Sequence, residues 1–196
     1  AIQSINIQSG IFCLMKDRFQ DIIWVGADGQ GIYMYFTDEF SIENVLLDVP
    51  EYRVNNPVRA LFLDHEQTLW IGTKGGGILR MMDFHPDRET LPQAERILAN
   101  NSALMDNSVY SFAPGRRNSL WIGTEDGLNY YSYLTRRIEE FPVIADGKKV
   151  KYVHSICETN DSTLWVVSAG EGIVKITLEA SSSLPEVKSA QRFTLD

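Results

Sequence analysis

Cysteine is scarce in this chain of 196 residues: only Cys13 and Cys157 are present, too few for the disulfide framework of a small secreted scaffold. Histidine is scarce too, with His65, His85 and His154 scattered and without metal-ligand spacing, so no metal donor set is legible. Basic residues are outnumbered, 18 Lys and Arg against 26 Asp and Glu for a net charge of −8. A protein that neutralises phosphates carries the opposite sign on at least one face, which argues against nucleic acid and anionic membrane as partners. No apolar run approaches the ~18 residues of a membrane-spanning helix, and Ala1 to Gly10 lacks the charged and apolar blocks of a signal peptide. No serine has the flanking glycines of a nucleophile elbow. What remains is an ordinary globular composition, 44% apolar, enough for a packed core.

Four tryptophans organise the chain. Trp24, Trp70, Trp121 and Trp165 recur at intervals of 46, 51 and 44 residues, in the contexts Ile23-Trp24-Val25-Gly26, Leu69-Trp70-Ile71-Gly72, Leu120-Trp121-Ile122-Gly123 and Leu164-Trp165-Val166-Val167. A glycine-containing turn and a second apolar run follow each. A short apolar segment and a polar turn precede each, with Asp17, Asp64, Gly115 and Thr159 at the first turn position. A fourth segment closes each unit: Ile42 to Leu47, Glu95 to Leu98, Arg137 to Phe141 and Gln191 to Leu195. Four strands per ~40–50 residues is the period of a β-propeller blade. The second strand lacks polar alternation because both of its faces are buried between blades, and the tryptophan becomes a buried packing wedge. The expected architecture is all-β: four consecutive four-stranded antiparallel blades, an open arc of a larger propeller. Residues 1–10 are expected to hold the outer strand of a preceding blade (Ile2 to Ile7), with blades at 11–47, 57–99, 108–144 and 153–196. An outer strand at both ends predicts exposed terminal faces that favour association. The repeat alignment sets Cys13 and Cys157 one step apart on equivalent strands, on opposite faces, so free buried thiols are expected.

The stretches Leu69-Trp70-Ile71-Gly72-Thr73-Lys74-Gly75-Gly76-Gly77-Ile78 and Leu120-Trp121-Ile122-Gly123-Thr124-Glu125-Asp126-Gly127-Leu128 closely resemble the two-component regulator propeller repeat. So do the approaches Val58 to Asp64 and Asn107 to Phe112. Val167 departs from the pattern where glycine is usual, and Ala27 where threonine is usual. The resemblance implies a piece of the periplasmic sensor region of a hybrid two-component protein anchored in the inner membrane. Such sensors carry two seven-bladed propellers and a further β domain, and are common in gut bacteria that use complex polysaccharides. Nothing here resembles a kinase or receiver domain.

Function is expected in the loops, because a propeller gathers them on one rim. The loops entering the first strands and those joining strands two and three carry the candidate ligand-binding residues Tyr52, Arg53, Asn55, Asn56, Asp106, Asn107, Lys151, Tyr152, Lys74 and Glu125, with Asp28, Gln30, Asn101, Asp126 and Glu171 nearby. Amides, charges and tyrosines suit a hydroxyl-rich ligand such as an oligosaccharide, although ordinary turn chemistry places the same residues there. The Asp64-His65-Glu66 run is read as a turn capped by its aspartate, Ser181-Ser182-Ser183 as a loop, and Glu139-Glu140 as solvated charge. No catalytic residue, metal or cofactor is expected. Three functions compete: a sensor that binds an oligosaccharide, a structural scaffold that docks other blades of the same receptor or a second copy, and a propeller lyase or glycosidase.

Overall fold

The computed structural model describes residues 4–45, 50, 53–84, 92–160, 162–180 and 184–194. Tyr52, His85 and the Ser181 to Ser183 run lie outside them. Four antiparallel sheets run in chain order. Blade 1 comprises β1 (Ile11–Lys16), β2 (Ile22–Ala27), β3 (Ile32–Phe36) and β4 (Ser41–Val45); blade 2 comprises β5 (Val58–Leu63), β6 (Leu69–Thr73), β7 (Ile78–Met82) and β8 (Gln93–Ile97). Blade 3 comprises β9 (Val109–Gly115), β10 (Ser119–Thr124), β11 (Leu128–Ser132) and β12 (Arg137–Phe141). A hairpin of β13 (Ile144–Ala145) and β14 (Lys148–Lys149), not anticipated from the sequence, precedes blade 4: β15 (Val153–Asn160), β16 (Thr163–Ser168), β17 (Gly172–Leu178) and β18 (Val187–Phe193). No α-helix occurs among the described residues. Ser4 to Gly10 form no strand, contrary to the strand expected there, and β18 begins four residues ahead of its expected start. The chain divides into two compact units, residues 1–96 and 97–196; blades 1 and 2 make the first, blades 3 and 4 with the hairpin the second.

Register explains how blades stack. Residues paired across a sheet share a face, so Trp24↔Met34 and Gly26↔Ile32 form the indole face of blade 1, while Leu69↔Met81 and Ile71↔Leu79 form the opposite face of blade 2. In the first unit Ile22, Trp24, Ile32 and Met34 share one core cluster with Leu69, Ile71, Leu79 and Met81. The second unit repeats the arrangement: Trp121, Leu128, Tyr130 and Phe141 of blade 3 meet Leu164, Val166, Val174 and Ile176 of blade 4. Each such side chain, fully buried, is worth about 1.5–3 kcal/mol. Trp121 also meets Phe141 edge to face, ring centroids 5.0 Å apart.

The glycine two residues past the tryptophan is required by close approach. A Cβ on Gly26 would lie 2.7 Å from Val58 Cγ1, and one on Gly123 2.6 Å from Val153 Cγ1. The following threonine closes the next turn, with Thr73 Oγ1 donating to Gly77 O and Thr124 Oγ1 to Gly127 O, both at 2.9 Å.

Blade 4 breaks the expectation of four buried indoles. Trp24, Trp70 and Trp121 are buried, but Trp165 is half-buried and Val167 beside it is exposed. Within the second unit no blade packs on the indole face of blade 4. The thiols also differ from expectation. Both are free, Cys13 half-buried and Cys157 exposed, and register pairs Cys13 with Gly26 but Cys157 with Trp165, two repeat positions apart and not one.

Candidate ligand-binding rim

Every first strand carries the same irregularity. Pairing slips between Ile11 and Cys13, between Val58 and Ala60, and between Val153 and Ser155, and at the equivalent place between Gly123 and Thr124 opposite β9. A β-bulge of this kind re-aims one side chain. The residues so released are Phe12, Arg59, Tyr110 and His154. They meet in pairs: the Arg59 guanidinium stands 4.1 Å from the centroid of the Phe12 ring, and the Tyr110 and His154 rings lie 4.4 Å apart, tilted by 36°. Neither pair is among the residues expected from the sequence to bind a ligand.

In the second unit the loops converge around the Tyr110–His154 pair. The Tyr110 hydroxyl donates to Glu125 Oε2 at 2.8 Å. Tyr152 ties three segments together, its N–H donating to Glu125 O at 2.8 Å and its carbonyl accepting from Ala169 N at 2.9 Å. To do so it adopts φ 50°, a left-handed conformation uncommon outside glycine, while the residue stays 42% exposed. Strain of this sort, on an exposed aromatic held by a rigid frame, clusters at binding sites. Asp126 accepts from Lys149 Nζ at 2.6 Å and Lys151 Nζ at 2.8 Å, and hydrogen bonds from the two lysines hold its carboxyl below the usual carboxylate range. The same contact raises the Lys151 ammonium. Glu171 is bound by Arg192 Nη1 at 2.8 Å. Of the sequence candidates, Glu125, Lys151 and Tyr152 are thus brought together, with Asp126 beside them. Asp106 and Asn107 are not presented in the same way: Asp106 Oδ1 accepts from Ser108 N at 2.6 Å and Asn107 Oδ1 from Ala99 N at 2.8 Å, and Asn101 Oδ1 accepts from Leu98 N at 2.8 Å.

In the first unit Asn56 Nδ2 donates to Lys74 O at 3.1 Å, and Arg96 Nη2 donates to Arg53 O at 2.9 Å. Arg53, Asn55 and Lys74 are exposed and Asn56 partly so. Asp28 donates its N–H to Gly10 O at 2.8 Å and its carbonyl accepts from Ser9 Oγ at 3.0 Å, and Gln30 Oε1 accepts from the Tyr33 hydroxyl at 3.0 Å. Asp64 caps its own turn as read, Oδ1 accepting from Glu66 N and Thr68 N at 2.9 Å. No group of three or more metal-ligating side chains occurs among the described residues.

Residues 53–75 and 103–126 match the two-component regulator propeller. Across 92% of its length the chain is 27% identical to Histidine kinase P4 of Formosa agariphila, of which it spans 13%. Among solved structures it resembles a protein described as the extracellular domain of a hybrid two component system, BT3049, from B. thetaiotaomicron, at 22% identity and a TM-score of 0.68, over 90% of this chain and 22% of that one. It also resembles PorZ, a bacterial surface component of the type-IX secretion system of Porphyromonas gingivalis, at 14% identity and a TM-score of 0.65, over 94% of this chain and 27% of that one. At these identities the structural likeness is one of fold. The chain spans 13% of the first of these proteins, 22% of the second and 27% of the third.

Proposed function

We propose that this chain is an extracytoplasmic sensor segment of a two-component signalling protein, and that it recognises a carbohydrate signal at the rim of its second unit without catalysing a reaction. The observation that carries the reading is the cluster of Tyr110, His154, Glu125 and Tyr152. Stacked rings offer the apolar platform that a pyranose face needs. A carboxylate and a lysine–aspartate group beside them supply acceptors and donors for paired hydroxyls. The matched repeats and the relative named a histidine kinase support the signalling context.

Titration calorimetry of the chain against a panel of neutral and acidic oligosaccharides tests the proposal. The expected result is saturable binding of at least one glycan, weakened about tenfold or more in a Tyr110→Ala/His154→Ala variant, since each ring contact contributes ~0.5–1.5 kcal/mol. Absence of binding across the panel overturns the carbohydrate reading, and turnover of any glycan overturns the non-catalytic one. A second reading, a scaffold segment, is favoured by the uncovered indole face of blade 4.

A further inference from the structure

Blade 4 repeats much of the face that blade 3 buries, with Lys175 in the place of Tyr130 opposite the indole. By register, Ser155, Trp165, Ile173 and Phe193 stand where blade 3 has Ser111, Trp121, Leu128 and Phe141. In blade 3 the last three belong to the core shared with the next blade, and Ser111 Oγ donates across that junction to Val153 O at 3.0 Å. In blade 4 Ile173 is 45% and Phe193 44% exposed, and Ser155 is exposed. Lys175, near the Trp165 ring at 5.8 Å, is compatible with a covered face. Its counterpart Arg80 lies 5.0 Å from the Trp70 ring with 12% of its side chain exposed.

One position is inverted. At the two junctions seen within units, a glycine (Gly26, Gly123) receives the first valine of the next blade (Val58, Val153), and both valines are completely buried. Blade 4 has Val167 where these glycines stand, 40% exposed. The residue of blade 1 equivalent to Val58 and Val153 is Ile11, which pairs with Ala27 as they pair with Thr73 and Ser168, and it is 50% exposed. Two β-branched side chains cannot share a space in which even a single added Cβ would overlap its neighbour, and forced overpacking of this kind destabilises a contact.

We propose that the indole face of blade 4 docks a further propeller blade that is not blade 1 of a second copy: one whose first strand presents a glycine or alanine opposite Val167. The large and small partners of the ordinary junction exchange places, which conserves volume. The same valine, facing Ile11, keeps copies of this chain from stacking end to end although both terminal faces are apolar.

Sedimentation of the 196-residue chain over a wide concentration range tests this, with Ile11→Gly as the stand-in for the proposed blade. The wild-type chain is expected to stay monomeric through this face. Ile11→Gly and Val167→Gly, each restoring one large and one small partner, are expected to self-associate about tenfold or more tightly than wild type. Adding Phe193→Asp to either is expected to return the monomer. Circular dichroism and thermal midpoints verify folding, and Ile11→Ala and Val167→Ala replace any glycine variant that does not fold. Wild-type chain that assembles and is dissociated by Phe193→Asp overturns the proposal, as do variants that associate no better than wild type.

Discussion

Trp121 and Glu158 belong to adjacent blades, yet the indole Nε1 of one donates to Oε2 of the other at 2.8 Å. In blades 1 and 2 the indole instead finds an acceptor in its own blade: Trp24 donates to Asp17 Oδ2 and Trp70 to Asp64 Oδ2, both at 2.9 Å. Blade 3 has Gly115 in that turn, where a Cβ would stand 3.2 Å from the indole nitrogen. The acceptor is therefore borrowed from the next blade, and Glu158 Oε2 also receives Arg116 N at 3.0 Å. A local turn contact has become a bolt between blades 3 and 4.

Removing that bolt has a measurable cost. Glu158→Leu leaves two N–H groups without an acceptor and is expected to lower the stability of the second unit by ~1–3 kcal/mol. Glu158→Gln keeps an oxygen in place and should lose less. Urea denaturation followed by tryptophan fluorescence compares the two, and equal losses would mean that the hydrogen bond contributes nothing of its own.

The four indoles should not be equivalent. Trp121→Ala, at a fully buried site, is expected to cost ~3–5 kcal/mol, whereas Trp165→Ala, on a half-buried face, should cost about 1–2 kcal/mol. Denaturant midpoints of the two variants decide the matter, and a larger loss at Trp165 would show its face to be covered.

The two thiols should react at different rates. Burial pushes the Cys13 thiol up to about 11, and its Sγ donates to Val58 O at 3.7 Å, so little thiolate is available near neutral pH. Cys157 is exposed. Iodoacetamide at pH 8 is expected to label Cys157 first, with Cys13 labelled only under unfolding conditions; mass spectrometry of the tryptic peptides reads the order.

Acid should weaken the lysine–aspartate cluster. The folded-state value of Asp126 is depressed by Lys149 and Lys151. Its contribution to stability is therefore complete above the unfolded carboxylate value of ~3.9 and is lost as pH falls through the folded value. Carbonyl NMR titration is expected to place the Asp126 midpoint below the unfolded carboxylate value, and a Lys149→Ala/Lys151→Ala variant should move it back up toward that value. An unchanged midpoint in the variant would assign the shift to another cause.

The period, the strand order within a blade and the chemistry of most turns follow from local sequence. They depend on alternation, on glycine and aspartate at fixed offsets, and on an indole too large to leave in water, all of which act over a few residues. Asp64 is the clearest case, because its partners lie within six positions of it. The exposure of Trp165 was not legible, since its local context matches that of the buried three. Nor was the role of Glu158, whose partner lies 37 residues away and was selected by the glycine at 115. The pairing of Tyr110 with His154 depends on bulges in two separate strands brought side by side by blade packing. Backbone preference and burial pattern are properties of a segment and can be read along the chain; which faces meet, and which carboxylate reaches which indole, are decided when blades stack.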